Sequence, residues 1–176
     1  SKIQPASIDL TANYAFTGTN SIAGLEYAEK KLATVTASSS GTLSFTSSIN
    51  STYNIYKFRF IEIHPSHDSN VDFGFQCSTN TGSSYGVTLT STFFDAYHYE
   101  NDSSAAVRYL TSRDLAQSTS FQPLSVNTAV ADADQHVSGE LFLFDPSSTT
   151  FVKHFTSTTQ TASDGGSDDF SDNAYI

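Results

Sequence analysis

Apolar and polar residues alternate at every second position along most of this chain, and that rhythm restricts it to sheet. The strongest run is 54–64, where Tyr56, Phe58 and Phe60 share one face. The apolar phase then moves to Ile61 and Ile63, the shift a β-bulge produces, and the run reads as a central strand whose halves face different layers. Leu43, Phe45 and Ile49 share a face of 42–49. Val71, Phe73, Phe75 and Cys77 do the same, as do Val87 and Leu89 leading into Phe93, and Val137, Leu141 and Leu143.

Turn-forming clusters separate these runs, among them 38–41, Asn50-Ser51, 65–70, 80–83, Asn101-Asp102, 132–135 and Asp145-Pro146-Ser147. Short strands at this spacing predict an all-β, antiparallel β-sandwich, jelly-roll-like in organisation. Only 22–32 has helical character. The expected division is an N-terminal segment over 1–31 and a sandwich over 32–176. The predicted core is Phe45, Phe58, Phe60, Ile61, Phe73, Phe75, Leu89, Leu141, Leu143 and Phe151.

Composition agrees with sheet. Ser (29) and Thr (22) make up 51 of 176 residues, while Phe (14) and Tyr (9) supply strand-forming core material. The net charge of −10 and the scattered basic residues argue against nucleic-acid binding, which needs clustered Lys and Arg. No apolar run reaches the length of a membrane-spanning helix. Cys77 is the single cysteine, so no intrachain disulfide forms, and it is expected as a small buried apolar residue.

The candidate chemistry is sparse. His64, His67 and Asp68 are metal-ligand types, but no third partner stands at a suggestive spacing, and a turn after a strand explains them. Asp164, Asp168, Asp169 and Asp172 lack the alternation of a calcium loop and read as an acidic surface loop. Glycoside hydrolysis needs two facing carboxyl groups, whereas Glu62 and Glu140 each stand alone on their strands. No Gly-x-Ser-x-Gly elbow or phosphate-binding glycine loop occurs. The expectation is therefore a non-enzymatic protein without metal or cofactor. Tyr85, Tyr97, His98 and Tyr99 lie near turns. Rings with polar tips can stack on sugars, so these four are the candidate glycan contacts, weighed against packing under loops or at a subunit contact.

Several strings carry a resemblance. They are Lys2 to Leu10, Tyr14 to Thr19, Tyr56 to Ser66, Phe73 to Gln76, Ser138 to Leu141 and Ser147 to Phe155. Together they cover most of the chain, and they resemble virion structural proteins of tailed phages of marine bacteria. The resemblance implies a β-sandwich subunit of a fibre, capsid decoration or appendage. It implies self-association, three-fold by analogy with phage fibres, and contacts with other virion proteins, while the sandwich fold and the loop tyrosines add the expectation of attachment to a host-surface glycan. It also implies further strands after Ile176, with Ala174-Tyr175-Ile176 beginning one of them.

Overall fold

The computed structural model describes residues 29–65, 71–126, 135–164 and 169–176. The chain divides after Thr34, and Val35 to Ile176 form one compact unit that holds every strand of the described residues. The strands are β1 (Ile55–Ile63), β2 (Gly74–Phe75), β3 (Phe94–Tyr99), β4 (Ala105–Tyr109), β5 (Gln122–Pro123), β6 (Val137–Phe144), β7 (His154–Asp164) and β8 (Asp169–Tyr175). Six of them make one antiparallel sheet in the order β1-β6-β7-β8-β3-β4, and β2 pairs with β5 in a small second sheet. The protein is all-β and consistent with a sandwich. Among the described residues the second layer is a two-stranded ladder supplemented by loops, not the full second sheet of a jelly roll.

The register sorts the side chains of the large sheet into two faces. The inner face carries Tyr56, Phe58 and Phe60 of β1, Val137, Leu141 and Leu143 of β6, Ser157, Thr159 and Thr161 of β7, and Asp172 and Ala174 of β8. The small sheet and its flanks cover this face by edge-on aromatic contacts. Phe60 meets Phe73 at 4.9 Å between ring centroids, Phe75 meets Phe155 at 5.0 Å, and Phe45 of the preceding extended segment meets Phe58 at 5.4 Å. Phe93, Val126 and Ala174 form the buried apolar cluster, with Leu110 and Ile176 against it.

Hydroxyl groups fill much of the interior. Ser157, Thr159 and Thr161 are buried in the column that β7 presents inward. Buried hydroxyls need partners. Thr159 donates to the Leu124 carbonyl and Ser157 to the Glu140 carbonyl. Gly139 makes room for this column. A Cβ there would sit 2.7 Å from the Thr159 Cα.

The outer face is open. One row crosses all six strands as Arg59, Glu140, Thr158, Tyr175, Phe94 and Tyr109. Tyr175 and Phe94 stack at 5.2 Å, and Lys57 lies 5.0 Å over the Phe142 ring while pairing with Glu140 at 2.8 Å. At its centre Thr156, Thr158 and Gln160 are exposed, as suits an antiparallel sheet with one solvated face.

Several expectations change. The predicted bulge is present, with a register shift between Phe60 and Ile63 and Glu62 at φ 51°. However, β1 is an edge strand, and Ile61, placed in the core by its period, is 70 % exposed. Phe151, also assigned to the core, is 72 % exposed just after the turn at Asp145 to Ser148. Phe45 is likewise exposed, because 42–49 pairs with no strand. Residues 29–32 of the expected helix are not helical, and 22–28 lie outside the described residues. The runs at 71–77 and 87–93 shrink to a two-residue strand and an isolated bridge, Leu89 with Ser118. Ala174 and Tyr175 end β8 instead of beginning a strand, with Ile176 exchanging hydrogen bonds with Ser157 beyond them.

Candidate functional site

The densest polar chemistry lies on the inner face where β3, β4 and β8 run side by side. The β3–β4 hairpin turns at Asn101-Asp102, where Asp102 takes φ 60° and its N–H donates to the Tyr99 carbonyl at 3.0 Å. That turn sets Asp95 opposite Arg108, and the β3–β8 ladder sets Tyr97 opposite Asp172. All four side chains therefore meet on one face. Arg108 donates from Nε to Asp95 Oδ1 at 3.0 Å and from Nη2 to Asp95 Oδ2, and reaches Asp172 Oδ2 at 3.3 Å. Its guanidinium lies 4.3 Å over the Tyr97 ring.

Both carboxyl groups are buried, Asp95 fully and Asp172 nearly so. Burial, followed by the charge and hydrogen bond of Asp95, raises the Asp172 carboxyl to about 7, while Arg108 and Arg113 pull it the other way. Oδ1 of Asp172 has no hydrogen-bond partner. A proton on Asp172 relieves that desolvation and turns the carboxyl into a donor. The Asp95 hydrogen bond holds Arg108 above its ordinary value against the opposing effect of burial. A carboxylate pair occupied by arginine and shut from solvent braces a sheet.

The four candidate glycan contacts do not converge. Tyr97 and Tyr99 share the inner face of β3, edge to face at 5.7 Å. The Tyr97 hydroxyl is within hydrogen-bonding distance of Ser104 Oγ at 3.1 Å, and its ring supports Arg108. His98 points to the opposite face, where Nε2 lies 3.2 Å from Asp102. Tyr85 belongs to a separate loop and donates to Ser44 Oγ at 2.9 Å.

The remaining candidates sort in the same way. Glu140 faces Lys57, and Glu62 is exposed at the bulge, where its own N–H donates to Ser138 Oγ. His64 Nδ1 contacts the Gln135 carbonyl at 2.5 Å. His67 and Asp68 lie outside the described residues, as does Asp168. Asp172, expected in an acidic surface loop, is a buried strand residue instead. Among the described residues no three His, Cys, Asp or Glu side chains gather as a metal site requires. Cys77 is half-buried, and burial pushes its thiol pKa up, away from the reactive thiolate. An open cleft of about 300 Å³ is lined by Thr90, Ser91, Lys153, His154 and Phe155 among others. Its serine is committed elsewhere, since Ser91 donates to Gln122 Oε1 and accepts from the Leu115 N–H.

Asp95 and Arg108 were missed from the sequence, and Asp172 was placed in a surface loop. The signal that locates the first two is the turn itself, because a hairpin folded at Asn101-Asp102 pairs Asp95 with Arg108. Compared with known proteins, the chain matches no family model, no curated protein and no solved structure.

Proposed function

We propose that this chain is a structural subunit of a bacteriophage particle, a fibre, capsid-decoration or appendage component that works by packing against neighbours and contributes to host attachment. The observation that carries the reading is the apolar surface. Val152 is 77 % exposed and Val107 75 %, with Phe151 and Ile61 close behind, while the buried apolar cluster is small. Phe151 and Val152 are adjacent in the chain, and neighbouring exposed apolar side chains of this kind support a surface that a partner covers. The segments that resemble marine phage virion proteins supply the kind of assembly. The test is mass spectrometry and cryo-electron microscopy of the purified particle that carries the chain. Symmetric density for the six-stranded sheet is the expected result, and absence of the chain from every particle class overturns the proposal.

A glycan-binding module is the second reading. Tyr85 is the only one of the three candidate tyrosines that is exposed, which leaves it and His98 as the accessible contacts. Unchanged glycan-array binding by Tyr85→Ala and His98→Ala proteins removes both.

A further inference from the structure

We infer that two copies of this chain join edge to edge through β4, antiparallel and two-fold symmetric about Val107. The inference deepens the assembly role proposed above. It rests on that reading for its setting and on β4 alone for its geometry.

Among the described residues strand β4 ends the six-stranded sheet and pairs only with β3. The Leu110 N–H donates to the Phe93 carbonyl at 2.9 Å, and the Ser104 carbonyl accepts from the Tyr99 N–H at 2.9 Å. In an antiparallel ladder the bonding side alternates along the strand. Ser104, Ala106, Arg108 and Leu110 therefore turn their main-chain groups toward β3. The N–H and C=O groups of Ala105, Val107 and Tyr109 point the other way, out of the sheet. These three residues are exposed.

An open edge of this kind is ordinarily guarded by lysine, proline, a bulge or a covering segment. Strand β1, at the far edge, has such guards in its bulge and in Lys57, Arg59 and Glu62. Strand β4 has none. Its register against β3 is unbroken from Tyr109 to Ala105, it contains no proline, and its single charge, Arg108, is turned inward to Asp95 and Asp172.

The strand is complementary to itself. A two-fold axis at Val107 sets Val107 against Val107, Ala105 against Tyr109 and Ala106 against Arg108. All three outward-facing residues then fall in hydrogen-bonded pairs, small residues meet large ones, and no like charges are directly opposed. An axis at Arg108 would oppose two guanidinium groups. An axis at Ala106 would leave Tyr109 beyond the pairing of Ala105 with Val107. A second copy is thus the occupant this edge fits, through an interface in which each copy presents the same residues.

The test is sedimentation of the full chain at about 100 μM, well above a Kd on the order of 1 μM. The expected mass is twice 19.0 kDa. Val107→Pro removes the outward N–H without removing a β3–β4 hydrogen bond, because the Val107 N–H takes no part in that ladder, and the extended backbone that proline asks of Ala106 is the one a strand has. That variant is expected to be monomeric with an unchanged far-ultraviolet circular dichroism spectrum. Should it fail to fold, Val107→Lys opposes two ammonium groups across the axis and is expected to give the same monomer. In a Cys77→Ser background, Val107→Cys is expected to cross-link to its own copy on oxidation, since a Cα separation of about 5.5 Å suits a disulfide, whereas Ala106→Cys is not. A monomeric native chain overturns the inference, as does a dimer that survives both Val107→Pro and Val107→Lys, or capture of another segment on this edge. A chain found in particles but monomeric in solution sinks only the edge pairing. A β4 dimer absent from every particle sinks only the assembly role.

Discussion

Asp95 and Asp172 lie on neighbouring strands beneath a single guanidinium, and Arg108 bonds the first with two nitrogens and touches the second at 3.3 Å. Two acids under one cation leave a surplus negative charge, and burial beside Asp95 raises the Asp172 carboxyl, which favours its protonated form.

That proton makes stability depend on pH. The Asp172 carboxyl is raised from 3.8 to about 7, mainly by burial. Between those values the folded protein holds a proton that the unfolded chain has released, so the contribution is full below about pH 4 and is lost as pH rises to about 7. The expected slope is at most about 1.4 kcal/mol per pH unit across that window. Asp172→Asn, which supplies a permanent donor without the charge, should flatten the curve and raise stability at pH 8 relative to the native chain. Urea unfolding at several pH values measures both. Parallel curves for the two proteins would show that the proton sits elsewhere.

Removing the cation should be more damaging than removing one acid. Arg108→Ala leaves two carboxyl groups buried without their partner, and a loss of roughly 2–4 kcal/mol follows after allowing for the partial exposure of the arginine. Arg108→Lys should recover only part of this, because one ammonium cannot reproduce the two-nitrogen contact with Asp95. Equilibrium denaturation of the two variants checks the order.

Glycine at 139 should be irreplaceable for a steric reason. The added methyl of Gly139→Ala would meet the β7 main chain at Thr158 and Thr159, so the strands must part, and a cost of about 3 kcal/mol or more is expected. Gly41→Ala meets nothing within 4 Å and should leave the melting temperature nearly unchanged. Thermal melts of the pair distinguish steric exclusion from a general intolerance of alanine.

The location of the core can be tested just as directly. Leu124 is fully buried and Phe151 is 72 % exposed. Leu124→Ala should cost about 2–5 kcal/mol and Phe151→Ala less than about 0.5 kcal/mol, as read from chemical denaturation. The reverse order would mean that Phe151 is covered by a neighbour in the folded state.

These variants trace what was legible in the sequence. Strand β1 and its bulge could be read because aromatic residues mark one face and the phase slip is visible at Ile61. Strand β7 could not. Its inward Ser157, Thr159 and Thr161 and its outward Thr156, Thr158 and Gln160 are all polar, so no apolar period exists to detect. The register there is set by the gap at Gly139 and by hydroxyl bonds to main-chain carbonyls, which are tertiary facts. The same reasoning explains the site. Asp95 and Asp172 look like surface acids until β3 and β8 are paired, and the alternation in Tyr97-His98-Tyr99 sends the histidine to the face the tyrosines avoid.

The bulge at Glu62 has a consequence for size. A sheet that could grow at both margins would add copies without limit and precipitate as a fibre. Here one margin is straight, and the other is kinked and charged. In the dimer proposed above, growth that begins at β4 stops after a single addition, so the kink in β1 would set the number of copies.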